Sequence, residues 1–483
     1  MNKRKIIRTL GYIILTLGFL MIPSLIVSAI YQDGDSFEIG STIAGTLVLG
    51  FLMSRVKAPE MKMRSRDGYT IVALAWLIIC LIGAIPMYLS GVFESYIGAF
   101  FEMVSGFTTT GASVLSNPEY LPHGVGFWRC FSHWVGGMGV LVFVMMVAPM
   151  NNENSMHLVK AEVPGPTAGK LVPRMKETSM INYGIYAFLT LMCFILLLIG
   201  KVPVYDALCL SFGTAGTGGF SPSSVGFAAY NSYYVEMVVS VFMILFGVNF
   251  NVYFLILIKK VKDAFRIEEV WWYFGFIAFS TITIMANIMH TLPSAGQAFR
   301  YSFFQVASII TTTGFATVDF NQWPEYSKHV LILLMIVGAC SGSTGGGMKV
   351  CRVVMVVKSF FTELKHIMDP RHISIVRLDG KKVEKETLIA TRVYVCTYFL
   401  IICIVTLLIS LNNQDFTTNL TAVLSCFNNI GPGFSAIGPM SNFSVYDDWV
   451  QLLLSLTMLT GRLEIFPMFM IFSRSSHEKR LSL

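Results

Sequence analysis

The chain has 483 residues, 54% of them hydrophobic and only 13% charged, and its mean hydropathy of +0.65 lies far above that of soluble domains, where about a quarter of residues are charged. This balance excludes a soluble enzyme or binding module and indicates an all-α integral membrane protein. The net charge of +7 implies no nucleic-acid partner, because most basic residues fall in loops of one parity, which is an orientation signal.

A bilayer core of about 30 Å needs about 20 apolar residues per helix. Residues 7–30 follow a basic Lys3-Arg4-Lys5 start; the run is too long for a signal-peptide core and lacks a small-residue cleavage pattern, so it is expected to span. The acidic turn Gln32-Asp33-Gly34-Asp35 leads into a second span at 39–54, and Arg55, Lys57, Lys62, Arg64 and Arg66 then mark the cytoplasmic side. Residues 1–66 thus form an N-terminal helix pair.

Four units of one plan follow, at 67–177, 178–266, 267–385 and 386–483. Each is expected to hold an outer helix (68–89, 181–199, 271–289, 388–411), a short pore segment (97–108, 204–214, 295–310, 416–427) and a returning helix (127–147, 236–258, from 326, 447–472). The pore segments are too short to span, so they are re-entrant; irregular backbone at that depth survives only when buried in protein or lining a water-filled cavity. The polar stretches 151–179 and 360–387, the run Lys259-Lys260-Val261-Lys262 and the basic tail 474–480 all fall on one side, which puts both termini in the cytoplasm and gives the four units one shared orientation.

The pore segments end in related sequences: Thr108-Thr109-Thr110-Gly111, Gly216-Thr217-Gly218-Gly219, Thr311-Thr312-Thr313-Gly314 and Asn428-Asn429-Ile430-Gly431. The four glycines recur about every hundred residues, which marks internal repetition. Ser105, Ser308 and Ser425 lie six residues before the glycine in three copies, with Gly213 in the other; Thr109, Thr217, Thr312 and Asn429 lie two before it. A lone Thr-Thr-Thr-Gly reads equally well as a turn. Four copies in the same hydropathic context suggest loops whose glycines tolerate positive φ and turn carbonyls inward. Grouped around one axis, such loops would form a carbonyl ring that replaces an ion's hydration shell. No filter carries a carboxylate, and the pore segments would approach the ring with their partly negative C-terminal ends. The candidate selectivity-filter residues are Thr109, Thr110, Gly111, Thr217, Gly218, Gly219, Thr312, Thr313, Gly314, Asn429, Ile430 and Gly431.

In the third returning helix a glycine- and serine-rich run, Gly338 to Gly347, interrupts the apolar sequence. It is no nucleotide-binding loop, since Met348 separates Gly347 from Lys349 and Val350 replaces the required hydroxyl. A mobile constriction beneath the filter fits better, with Gly338, Gly342, Ser343, Thr344, Gly345, Gly346, Gly347 and Lys349 as candidate gate residues. Arg462 joins them: fifteen residues into the last helix is about 22 Å at about 1.5 Å per residue, and an ionisable side chain at that depth is a functional candidate. Its alternative role is an ion pair with Glu464. His133, in a glycine-rich stretch that opens the first returning helix, favours close helix approach over a ligand role. The nine cysteines (Cys80, Cys130, Cys193, Cys209, Cys340, Cys351, Cys396, Cys403 and Cys426) show no metal-ligand spacing and read as small buried hydrophobes.

These filters, with Trp128-Arg129, the run Gly342 to Lys349 and Gly461-Arg462-Leu463-Glu464, resemble the Trk/Ktr/HKT superfamily of cation transporters over nearly the whole chain. The N-terminal helix pair is similar to that of the membrane subunits of bacterial Trk systems. The resemblance implies a potassium ion held at the filter backbone carbonyls, because glycine occupies all four key positions, and no other cofactor in this chain. It implies channel-like potassium uptake through the bacterial inner membrane, gated by the intramembrane loop. It implies a homodimer in membrane lipid and a separate TrkA-type cytosolic nucleotide-binding regulatory subunit. The alternative is a proton- or sodium-coupled potassium symporter, which would call for inverted repeats and intramembrane carboxylates. Gly218 and the pair Asn429-Ile430 depart from the pattern.

Overall fold

In an apolar surround every backbone N–H and C=O has to be satisfied within its own segment, so long apolar runs cross a membrane as helices. The computed structural model, which describes residues 3–57, 65–139, 175–369 and 375–472, is accordingly helical. Its strands among these residues are the antiparallel pair Arg377–Leu378 and Lys381–Lys382. Six of the described helices are long and apolar enough to span: Lys3–Tyr31, Ser36–Ser54, Asp67–Leu89, Ser179–Ile199, Glu268–Thr291 and Lys385–Asn412.

The first two cross at glycine. A Cβ on Gly11 or Gly50 would come closer than 3.0 Å to the backbone of the other helix, at Ser54 and Leu15, the small-residue packing that helices in lipid favour. The acidic turn after the first span then docks the pair onto the helix His123–Gly137, which starts at Pro122 without a cap of its own. Asp33 accepts the His123 N–H at 2.7 Å and Asp35 accepts the Val125 N–H at 3.0 Å. These are orphan donors of a helix start, where negative charge is favourable. The His123 backbone N–H also holds the Asp33 carboxyl below its ordinary value, so this cap stays ionised as the pH falls.

The other four spans each begin one repeat. The pore helices are Tyr96–Phe107, Val204–Gly216, Ala295–Ile310 and Phe416–Asn428, within two residues of the segments expected from sequence. Ser95, Ser294 and Asp415 cap three of them, accepting from Ile97, Gln297 and Thr418 N–H; Pro203 opens the other. Each pore helix packs against the returning helix of its own repeat and that of the preceding repeat, the first pore helix closing onto the fourth. The four repeats therefore make a closed ring in chain order.

The returning helices differ from expectation. Only the third was expected to be interrupted, yet the helices stop at Gly137, Gly247, Val337 and Arg462 in all four repeats. The second, expected as one helix over 236–258, bends by 86° before Phe250–Leu257. The fourth, expected over 447–472, passes through Glu464 (φ 55°) and Ile465 (φ 66°) before Phe466–Phe472. In the first and fourth, added Cβ atoms on Gly136 and Gly461 would meet the carbonyl oxygens of Phe107 and Phe427 at under 3.0 Å, so these two helices stop where they reach the C-terminal carbonyls of their own repeat's pore helix.

Two polar stretches expected as loops are partly helical. Helix runs from Met175 to Ile199 and from Val350 to Met368, while Lys385–Ile409 opens the fourth repeat. Lys62, Arg64, the first returning helix beyond 139, most of 151–179, Arg371, His372 and the tail from 473 lie outside the described residues.

Candidate functional site

Each pore helix ends in the same hydrogen-bonded turn, and the recurring positions in the sequence are its anchors. The residue before the filter glycine donates its N–H five positions back: Thr110 to Ser105 O (2.8 Å), Gly218 to Gly213 O (2.8 Å), Thr313 to Ser308 O (2.8 Å) and Ile430 to Ser425 O (3.0 Å). The residue two before the glycine donates three positions back, to the carbonyls of Gly106, Thr214, Ile309 and Cys426. This pair of bonds is a Schellman motif, and it needs a left-handed residue at its corner. Thr109 (φ 56°), Thr217 (φ 54°), Thr312 (φ 59°) and Asn429 (φ 56°) occupy that corner. Asparagine tolerates the conformation; a β-branched threonine there is strained, and such strain collects at functional sites.

The four glycines come next, with φ of 80°, 82°, 82° and 104° at Gly111, Gly219, Gly314 and Gly431. An added Cβ on each would fall within 3.0 Å of the carbonyl oxygen of the residue before the glycine in the next repeat. Gly111 faces Gly218 O, Gly219 faces Thr313 O, Gly314 faces Ile430 O and Gly431 faces Thr110 O. The candidate filter residues of all four repeats thus meet in one closed ring of backbone, and the glycines line one side of a cavity of about 150 Å³. Only glycine combines the positive φ with so close an approach.

The two departures from the pattern have local causes. The His133 ring stands where a side chain at Gly218 would be, with its carbons under 3.0 Å from an ideal Cβ. Its Nδ1–H donates to Gly106 O at 2.7 Å, and Nε2 accepts the Phe220 N–H at 3.2 Å. Since a carbonyl only accepts and an N–H only donates, the imidazole is neutral with its proton on Nδ1. His133 is therefore a strut between the first pore helix and the second filter loop. At Asn429 the amide donates to the Thr110 hydroxyl at 2.9 Å and to Met458 O at 3.1 Å, tying the fourth loop to the first.

Beneath the ring lies the segment between Val337 and Val350. It contains the candidate gate residues and bonds to three repeats directly. Cys340 N–H donates to Gly247 O (3.1 Å), Gly346 N–H to Thr312 Oγ1 (2.6 Å) and Gly347 N–H to Asn428 O (3.1 Å). Arg462 connects it to the remaining one: Nη1 donates to Thr344 O at 3.0 Å and Thr109 Oγ1 at 3.2 Å, and Nη2 to Gly136 O at 2.6 Å and Gly137 O at 2.9 Å. Lys349 (φ 78°) is buried and donates to Gly345 O, within the loop. Gly338, Gly342 and Gly347 carry positive φ. Gly342 O accepts from Phe250 N–H at 3.0 Å, and the Ser343 hydroxyl donates to Cys340 O at 2.6 Å.

Several functional contacts have no motif in the sequence. Glu464, the alternative partner for Arg462, instead accepts from Arg352 Nη1 and Nη2, at 3.0 and 2.5 Å. Glu269 holds the two ends of the loop on one oxygen, accepting from Ser341 N–H at 2.6 Å and Cys351 N–H at 3.1 Å. Buried carboxylates, few in the apolar helices by sequence, are therefore present: Glu102, bonded to the segment after the first filter glycine, pairs with Arg129 at 2.6 Å, and Glu236 pairs with Arg300 at 2.6 Å between the second and third repeats. Of the nine cysteines, all free, seven are buried and Cys396 and Cys403 are exposed.

A family model described as TrkH, cation transport protein, matches residues 38–292 and 267–481. The chain is similar to the Trk system potassium uptake protein TrkH of Escherichia coli (strain K12), at 32% identity over 98% of this chain and 99% of that one. It is similar to the protein of the same name from Halomonas elongata, at 31% identity over 98% and 99%. Among solved structures, the crystal structure of the potassium transporter TrkH from Vibrio parahaemolyticus superimposes with a TM-score of 0.88 at 28% identity, covering 98% of this chain and 99% of that one.

Proposed function

This chain belongs to the TrkH family of cation transport proteins, and as an integral membrane transporter and not an enzyme, we propose, it carries out potassium uptake by letting the ion pass through the four-loop ring. The single observation behind this reading is the closure of the ring, in which every filter glycine abuts a carbonyl oxygen of the next repeat. The relatives' names supply the ion, as Trk system potassium uptake proteins. The physics supplies the mechanism. Carbonyl oxygens substitute for the hydration shell of a dehydrated cation, and four helix C-termini, each worth about half a negative charge, offset its desolvation.

In this reading, passage follows the electrochemical gradient, and the segment between Val337 and Val350 is the gate. Its bonds to Gly247, Thr312 and Asn428, with Arg462 linking it to the first repeat, support a plug held from all four quadrants. The protein works as a homodimer in the lipid of a bacterial cytoplasmic membrane, with both termini in the cytoplasm. A TrkA-type cytosolic nucleotide-binding subunit moves the gate. Potassium and sodium fluxes through purified protein in liposomes test the reading: potassium-selective flux supports it, and equal fluxes of both ions overturn it.

A further inference from the structure

The segments that leave the ring are joined across three repeat boundaries by uncharged bonds. Phe227 N–H donates to Ala316 O at 3.2 Å, Ser435 N–H to Asn321 Oδ1 at 3.0 Å, and Phe443 N–H to Ser113 O at 2.8 Å. At the boundary between the first and second repeats Arg129 of the first donates to Ser221 O of the second, and this arginine is held by an ion pair within its own repeat. Arg129 Nε and Glu102 Oε1 lie 2.6 Å apart, and their side chains are 4% and 0% exposed. Two charges so deeply desolvated are costly unless their remaining donors and acceptors are filled. Here the filter loops fill them.

Glu102 Oε1 also accepts from the Ser113 hydroxyl at 2.9 Å, and Oε2 accepts the Val114 N–H at 3.1 Å. Arg129 Nη1 donates to Ser221 O at 3.3 Å, and its Cζ stands 3.6 Å above the Phe220 ring. Ser113 is two residues after Gly111, and Ser221 is two after Gly219. The pair thus grips the equivalent position of two adjacent loops from a single rigid point. Glu102 comes from the pore helix and Arg129 from the returning helix of the same repeat, so both ends of the grip are anchored on helices.

We infer that Glu102 and Arg129 are positioning residues for ion selection: together they fix the spacing of the first two carbonyl quadrants and so hold the ring at a width suited to potassium and too wide for sodium. The inference rests on the ring being the filter. Loosening the pair lets two of the four quadrants relax inward, where a smaller ion gains full coordination. A planar, stacked guanidinium that donates to Glu102 from Nε and to Ser221 O from Nη1 does this where an ammonium would not.

The test measures potassium and sodium fluxes in liposomes per amount of monodisperse protein, for three variants. Arg129→Lys keeps the charge and loses the fork and the stack. Glu102→Leu/Arg129→Met replaces both partners by apolar groups of similar volume and strands no buried charge. Gly111→Ser, read in parallel, tests the filter itself. The brace predicts that the first two variants lower the potassium-to-sodium ratio about tenfold, as losing one charge-assisted hydrogen bond would, through a rise in sodium flux. If the double variant assembles and keeps the native ratio, the inference is overturned; if it does not assemble, a native ratio in Arg129→Lys overturns it. An unchanged ratio in Gly111→Ser would instead remove the filter reading on which the brace depends.

Discussion

The Arg462 guanidinium donates to the Thr344 carbonyl at 3.0 Å from a helix that belongs to another repeat. The same side chain holds the Thr109 hydroxyl and the last carbonyls of the first returning helix, so one residue links three repeats at the base of the ring. On the proposed function its charge lies in the path of an ion leaving the ring. Two unit charges about 4 Å apart repel by about 4 kcal/mol at an effective dielectric of about 20, worth about three decades in rate. Arg462→Ala is therefore expected to raise basal potassium flux at least tenfold per amount of correctly folded protein. Native flux per amount of folded protein at reduced yield would show that the arginine only holds the protein together.

The loop itself should restrict flow. Deleting Ser343–Gly346 removes the Thr344 carbonyl that Arg462 uses and the Gly346 N–H that Thr312 receives, while the glycine ring above is built from other residues. Flux is expected to rise with the potassium-to-sodium ratio retained. A fall in flux through properly assembled protein would make the loop a support and put the gate elsewhere.

Thr312 separates strain from function at one position. Glycine there would relieve a left-handed β-branched residue, a conformation costing about 1–2 kcal/mol, but would delete the acceptor of the Gly346 N–H. Thr312→Gly is expected to leave thermal stability within about 1 kcal/mol of the parent and to increase flux. Unaltered flux in this variant would mean that the hydroxyl does not hold the gate.

Gly111→Ser introduces a Cβ against the Gly218 carbonyl at a residue with φ of 80°. The added atoms displace one quarter of the carbonyl ring. Sodium permeation relative to potassium is expected to rise; a constant permeability ratio at normal expression would count against Gly111 as a filter residue.

The site was legible in the sequence where the chain repeats itself. The four glycines, and Ser105, Gly213, Ser308 and Ser425 six places earlier, mark the two ends of one hydrogen-bonded turn. The left-handed threonines were not legible, because a β-branched residue is the least expected occupant of that corner and their Oγ1 contacts are distant in sequence, Thr109 with Arg462 of the fourth repeat and Thr312 with Gly346. The breaks after Gly247 and Arg462 follow apolar runs and depend on tertiary packing, Gly247 against Tyr273 and Thr311 of the next repeat and Gly461 against the Phe427 carbonyl of its own, with Asn249 and Glu464 as the faint local signs. Pairings such as Arg352 with Glu464 and Arg129 with Glu102 bring together residues 112 and 27 positions apart. Hydropathy assigns such residues to a helix but not to a partner.

The central claim, passive potassium passage through the four-loop ring, is tested most directly by potassium flux in liposomes whose potassium, sodium and proton gradients are set independently. The account predicts net flux that follows the potassium gradient and membrane potential, reverses where they balance, and is unmoved by imposed proton or sodium gradients. Accumulation of potassium against its electrochemical gradient, driven by a proton or sodium gradient, would contradict it.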